Sequence, residues 1–311
     1  MENILFNEAE HKYYDTEGKI YTSVTTLIGQ YTNTFDEDFW AIYTALKEKN
    51  FKVKPQPEVR QIYVNNVLFK SDDLIRDARF KNWYDEIKAR WKSINFEACE
   101  RGNNTHNELE LGINQSKGDL FGLTNNNISS KGDKVLATQH DLDNTIIKSK
   151  YPEVYIRLSG YINNGFSIFA EKKVFLKEFL LAGMIDVPLV KNKHFCILDW
   201  KTNKDELKTK AGYYKKSKIG NTWVKTDIFV ETGECFKFPL NHLEASKFNI
   251  YSLQLSTYAY ILEQWGYILV NNGLEIIHFP LGSSPKLIKI PYLKREVEIM
   301  LNHHKQNILC N

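Results

Sequence analysis

"FSIFAEKKVFLKEFLLAGMIDVPLVKNKHFCILDWKT", residues 166–202, is rich in Phe, Val, Ile and Leu and breaks twice, near Lys177-Glu178 and at Lys191-Asn192. Three consecutive antiparallel strands fit it best, because aromatic and β-branched runs bounded by polar turns read as strands. The last run ends on Asp199, Trp200 and Lys201. Successive strand residues face opposite sides, so Asp199 and Lys201 share a face, their Cβ atoms roughly 6.5 Å apart, and Trp200 turns the other way into the core. By itself such a pair suits a surface ion pair capping a strand as well as a site for a small ligand.

Asp186 lies on the second strand, in "GMIDVPLV". Neighbouring strands are about 4.8 Å apart, so Asp186 and Asp199 can face each other across the sheet. Two bare carboxylates at such range repel by about 4 kcal/mol at an effective dielectric of 20. A divalent cation reverses that sign, and hard cations take oxygen ligands. Lys201 beside the pair would orient a water or stabilise developing negative charge. The alternative is that one carboxylate points to solvent and the other pairs with Lys201.

Upstream, Gly102, His106 and Glu110 form G-x-x-x-H-x-x-x-E, with His106 and Glu110 one helical turn apart on one face. Downstream, Gln254 and Tyr258 share a face of the helix predicted over "NIYSLQLSTYAYILEQWG". In this order the motifs resemble the RecB/Cas4-like branch of the PD-(D/E)xK nuclease superfamily: a helix with His, then G-x-x-D, D-W-K-T and Q-x-x-x-Y. Phage exonucleases and the mitochondrial genome maintenance exonucleases share that arrangement. The likeness covers roughly residues 97 to 265, and "SVTTLI" near the N-terminus matches it weakly.

The resemblance implies an α/β fold: a restriction-endonuclease-like core with a central mixed β-sheet flanked by helices, plus an N-terminal, mostly helical extension. It implies His106, Asp186 and Asp199 as ligands of Mg²⁺ or Mn²⁺, with the Trp200 carbonyl completing the site and Lys201 as the catalytic lysine. Glu171 matches an acidic position that supports the metal site, and reads equally as an exposed strand residue. Gln254 and Tyr258 would hold the nucleic-acid backbone near the metal, with Glu110 in support. Gly102-Asn103 stands where the family often has Gly-Thr. Some relatives ligate an iron–sulfur cluster through cysteines grouped near the C-terminus; here only Cys310 lies near that end, so no cluster is expected.

The rest of the chain reads around this core. "HKYYDTEGKIYTSVTTLIGQY" predicts a hairpin at Glu17-Gly18 and a short helix capped by Thr22 or Ser23. "FKVKPQPEV" predicts a loop, because two prolines interrupt it. From Ser71 onward the spacing predicts helix, with Phe80, Trp83, Ile87, Trp91 and Ile94 on one apolar face. "RGNNTHNELELG" is a continuation or a helix of its own. The expected domains are an N-terminal accessory region, 1–95, and a nuclease core, 96–311, with insertions at about 112–145 and 202–245. The first insertion reads as irregular. "YPEVYIRLSGYINNG" predicts a helix, "LEIIHFP" and "KLIKIP" strands, and "YLKREVEIMLNHHKQ" a terminal helix.

The second insertion is basic: eight lysines against Asp205 and Glu206 between Lys201 and Lys225, interleaved with Tyr213, Tyr214 and Trp223. Lysines neutralise phosphates and rings stack on unpaired bases. Lys215, Lys216 and Lys218 are therefore candidate nucleic-acid contacts, against the alternative of a solvated lysine-rich loop. The basic, Trp-containing helix before His106 would form the opposite wall of a channel.

Over 311 residues the net charge is only +3, so attraction to DNA has to be local. The opening "MENILFNEAEHKYYD" lacks the charge and apolar runs of a signal peptide, and no stretch reaches membrane-spanning length. With cysteines far apart and no Cys-x-x-Cys, a cytoplasmic protein is expected, in the host cell if phage-encoded. The abundance of Lys, Asn, Ile and Tyr suggests an AT-rich genome. These readings converge on a metal-dependent DNA exonuclease acting on single strands or single-stranded ends in replication, recombination or repair. A structure-specific endonuclease on the same fold, or a non-catalytic nucleic-acid-binding protein, are the rival readings.

Overall fold

A computed structural model describes residues 4–7, 10, 12–114, 118–119, 134–220 and 222–309. The chain divides into two compact units, Met1–Asn33 with Asn103–Asn311, and Thr34–Gly102. The first unit opens with β1 (Ile4–Asn7), β2 (Lys12–Asp15), β3 (Ile20–Ser23) and helix α1 (Val24–Gln30). The β2–β3 turn falls at the predicted Glu17-Gly18, and Ser23 Oγ caps α1 by accepting from the Thr26 amide at 3.0 Å. An accessory region over 1–95 is thereby corrected. Residues 1–33 belong to the large unit because β3 pairs in parallel with a strand of the 166–202 run, Leu181 opposite Thr22.

The second unit holds α2 (Glu37–Glu48), β4 (Val53–Gln56), β5 (Gln61–Val64), β6 (Val67–Lys70), α3 (Ser71–Arg76) and the first part of α4 (Ala78–Asn114). The loop expected over "FKVKPQPEV" is in part a strand. β4 is the edge of a three-stranded sheet, the one place where Pro55 deprives no inner ladder of a donor. The β5–β6 turn, Asn65-Asn66, has positive φ at both residues, the geometry that suits a tight hairpin. Phe80 and Ile87 of the predicted apolar face join this unit's core with Phe39, Ile42 and Ile62, whereas Ile94 is exposed. "RGNNTHNELELG" continues α4 to Asn114.

Next come the two-residue strands β7 (Gly118–Asp119) and β8 (Lys134–Val135), then helices α5 (Gln139–Asp143), α6 (Ile146–Lys150) and α7 (Pro152–Asn163). Of the irregular stretch expected at 112–145, residues 115–117 and 120–133 lie outside the described residues. Of the remainder, Val135, Leu136 and Leu142 are fully buried, and Leu136 bridges to Ile168.

The decisive run forms β9 (Ser167–Ile168), β10 (Lys172–Leu176), β11 (Leu181–Ile185), β12 (Val187–Lys191) and β13 (His194–Lys201). It is followed by β14 (Gly212–Ile219), β15 (Thr222–Glu231), α8 (Lys247–Gln264), β16 (Ile268–His278), β17 (Lys286–Lys289) and α9 (Lys294–Leu309). One sheet runs β1-β2-β3-β11-β10 and the other β17-β16-β13-β12-β9. The second is mixed, since β13 and β16 are parallel and its other pairs antiparallel. The architecture is α/β.

β13 is buried on both faces. Phe195 and Ile197 enter one core with α1, α8 and α9 residues; Cys196, Leu198 and Trp200 enter another with Leu109, Ile113 and α7 residues. That double burial is why its sequence is a continuous apolar run rather than an alternating one. The basic 202–245 insertion contains an antiparallel hairpin, β14 with β15, whose register shifts between Tyr214 and Lys216. Helix α8 is buried all round from Ser252 to Ala259 because α1, α9 and both sheets enclose it. Its hydroxyls tolerate burial by bonding backward: Ser252 donates to the Phe248 carbonyl and Thr257 to the Leu253 carbonyl. Among the described residues no helix is long and apolar enough to cross a membrane.

Candidate metal centre

The β9–β10 and β11–β12 segments form one long antiparallel pair bent in the middle. Lys172 faces Ile185 on one side of the bend and Ile168 faces Leu189 on the other, in unbroken register. At the bend Glu171 and Asp186 stand opposite each other, and the Glu171 amide donates to the Asp186 carbonyl at 2.9 Å. Asp186 is the single residue between β11 and β12, where the chain passes from one sheet to the other. Glu171 adopts φ +50°, a left-handed conformation that costs a residue bearing a Cβ about 1–2 kcal/mol. Such strain persists where the surroundings enforce it, and it concentrates at functional sites.

His106, from the C-terminal part of α4, completes the cluster. Its Nε2 lies 3.1 Å from the Trp200 carbonyl oxygen and its Nδ1 3.6 Å from Asp186 Oδ2. The same Asp186 Oδ2 accepts from the Trp200 amide at 3.0 Å, which fixes the carboxylate against the end of β13. One donor atom each from His106, Glu171 and Asp186 lies within 4.8 Å of the others.

The gathered set therefore differs from the one expected. Glu171 stands with His106 and Asp186, while Asp199 turns to Lys201, whose Nζ is 2.6 Å from Asp199 Oδ2. Asp199 and Lys201 do share a face, and Trp200 packs oppositely at 2% exposure, as strand alternation requires. Asp199 is 1% exposed, and among the described residues neither of its oxygens accepts a well-aligned hydrogen bond. Its pairing with Lys201 is one of charge at close range.

Negative charge exceeds positive charge here. Burial first, then the charges of Asp186, Glu110 and Asp199, push the Glu171 carboxyl up to about 8. Burial also raises the Asp199 carboxyl, with Lys201 opposing and Asp186 adding to the rise. Burial alone would lower the Lys201 ammonium, but the Asp199 and Asp186 carboxylates outweigh it and the net direction is up. Glu110, half-buried one turn beyond His106, adds to the field on Glu171 and accepts from Asn114 Nδ2 at 3.3 Å.

An imidazole nitrogen and converging carboxylates in excess of their cations fit a hard divalent cation. Mg²⁺ and Mn²⁺ suit such donors. His106, Glu171 and Asp186 would hold it.

Gln254 and Tyr258 meet each other, Gln254 Nε2 donating to the Tyr258 hydroxyl at 3.3 Å. At 9% and 3% exposure they are enclosed, and burial first holds the Tyr258 phenol well above its ordinary range. The three candidate lysines are exposed but not gathered. Strand alternation puts Lys216 and Lys218 on one face of the β14–β15 hairpin and Lys215 on the other. On the first face Tyr214 packs edge-on to Phe229, and Lys225 Nζ sits 3.7 Å over its ring.

Two site neighbours escaped the sequence reading. The Tyr13 phenol on β2 is pushed up to about 12, by burial and then by the charge of Glu171. Its only signal is the alternation of "KYYD". Tyr251, whose ring lies 4.7 Å from Lys201 Nζ, is three residues before Gln254 and thus on its helical face. No protein-family model, curated protein or solved structure matches the chain, so the reading of this site rests on its own residues.

Proposed function

We propose that the chain is a metal-dependent deoxyribonuclease with a restriction-endonuclease-like core, acting as an exonuclease on single-stranded DNA or single-stranded ends. The observation that carries this is the convergence of His106, Glu171 and Asp186 beside the buried Asp199–Lys201 pair, at the ends of adjacent strands. The motif order resembling RecB-like exonucleases supports the choice of DNA and of a free end.

When bound, Mg²⁺ or Mn²⁺ supplies Lewis-acid polarisation of a phosphoryl oxygen and acidifies water. The protein's own groups do the rest. The Trp200 amide and the Glu171–Asp186 backbone bond hold the carboxylates in place. Lys201 is stabilised as the ammonium. It serves as a fixed positive charge toward developing negative charge rather than as a proton acceptor.

The test is a time course on end-labelled linear single-stranded, duplex and circular single-stranded DNA with Mg²⁺ or Mn²⁺. Progressive degradation of the linear strand, sparing of the circle and arrest by chelator are expected. Rapid cutting of the circle decides for a structure-specific endonuclease. Binding without cleavage under every metal decides for a non-catalytic nucleic-acid-binding protein.

A further inference from the structure

Two groups flank the Lys201 ammonium: the Asp199 carboxylate at 2.6 Å and the ring of Tyr251, with its centroid at 4.7 Å. The Lys201 side chain is 14% exposed, so both contacts act with little screening by water. The ring is itself tied down. Tyr251 donates its hydroxyl to Asn203 Oδ1 at 2.7 Å, two residues beyond Lys201 on the chain leaving β13. The Asn203 carbonyl lies 2.9 Å from Nε2 of His278, which is 1% exposed and pairs with Lys201 across β13–β16. Burial first keeps the phenol above its ordinary range, so it remains a neutral donor.

An ammonium with only a carboxylate beside it is pulled onto that carboxylate. A ring face on another side attracts the cation without taking up a directed N–H bond, which leaves donors free to point out of the pair. From this geometry we propose that Tyr251 is a positioning residue for Lys201. Its ring holds the ammonium between Asp199 and the reacting phosphate, and its hydroxyl only anchors the ring. The proposal rests on the nuclease reading for its catalytic consequence, and on the ring contact alone for its structural one.

The test keeps shape constant while changing the ring. Tyr251→Phe should retain kcat, whereas Tyr251→Leu should lower it about tenfold at unchanged KM and unchanged Mn²⁺ affinity. Incorporating 3,4,5-trifluorophenylalanine at position 251 keeps the volume of the Phe variant with an electron-poor face. It should lower kcat toward the Leu value, a response ordinary packing would not produce. This comparison also stands if the Leu variant fails to fold.

A readout independent of cleavage is the Lys201 Cε proton resonance, assigned by its loss in Lys201→Ala. It should be shifted upfield by the ring in the parent and in Tyr251→Phe, and should return to the ordinary lysine position in Tyr251→Leu. Equal kcat for the Phe and trifluorophenylalanine forms, or an unshifted parent resonance, overturns the role of Tyr251. A shifted resonance in a protein that cuts no DNA overturns the nuclease reading and the catalytic part of the role, and leaves the ring contact standing.

Discussion

The ring of Tyr258 occupies the space a side chain at position 183 would need. A Cβ added to Gly183 would stand 2.6 Å from Tyr258 Cε1 and 3.2 Å from Val24 Cγ2. The glycine three residues before Asp186 and the tyrosine four residues after Gln254 are thus two sides of one contact. That contact packs α8 against β11 next to the acids.

Gly183→Ala should therefore destabilise the protein by about 1–3 kcal/mol through overpacking. Thermal unfolding measures it. Tyr258→Leu in the same chain should recover part of the loss, because the two positions share one space. Additive losses would show that the ring is not what excludes the methyl group.

Lys201→Ala should abolish hydrolysis, as should Asp186→Asn and Asp199→Asn, while DNA affinity holds or rises as carboxylate charge is removed. Filter binding alongside a cleavage assay separates the two effects. His106→Ala should be milder, because water can replace one neutral ligand. Parental cleavage by Lys201→Ala would contradict the role given to its ammonium.

The pH dependence follows from Glu171, whose carboxyl rises from 4.5 to about 8 on folding. The folded state holds a proton that the unfolded chain releases. The stability from this group is fully present below pH 4.5 and is lost as pH rises through about 8. In chelator, the melting temperature of the parent should fall relative to Glu171→Gln between pH 5 and about 8.5. Mn²⁺ should cancel that relative loss. Titrating groups that do not interact with Glu171 are common to both proteins and drop out of the difference, which therefore reports Glu171 together with the acids coupled to it. Parallel pH profiles would mean that Glu171 does not sense the acids around it.

Glu171→Gly should stabilise the metal-free protein and weaken Mn²⁺ binding at the same time. Glycine accepts φ +50° without penalty, a gain of about 1 kcal/mol, and removes one of the crowded carboxylates. Thermal unfolding in chelator and calorimetric titration with Mn²⁺ read the two effects separately. Unchanged Mn²⁺ affinity would remove Glu171 from the ligand set.

Lys216→Ala with Lys218→Ala should weaken single-stranded DNA binding and reduce the salt slope by about one to two, since each phosphate contact releases a counterion. The two lysines share a hairpin face with Tyr214 and Trp223. Lys215→Ala, on the other face, should matter less. An equal effect of Lys215 would mean that DNA wraps the hairpin instead of lying along one side.

Local pattern sufficed wherever an element's sequence answers to its own immediate surroundings. The runs over 166–202 and their breaks, Asp199 and Lys201 on one face, the buried Trp200 and a helix cap at Thr22 or Ser23 all follow from period-two alternation and capping chemistry. The same pattern could not show that the β9–β12 pair bends at Glu171 and Asp186. A bend between two sheets is set by what packs on each half, and it brings Glu171 beside His106 and Asp186. Nor could it show α8 enclosed on every side, β3 paired with β11 in the large unit, or Tyr251 over Lys201. Each of these joins residues far apart in the chain, and periodicity reports only which side of an element is apolar. What that side meets is decided when distant elements come together and bury it.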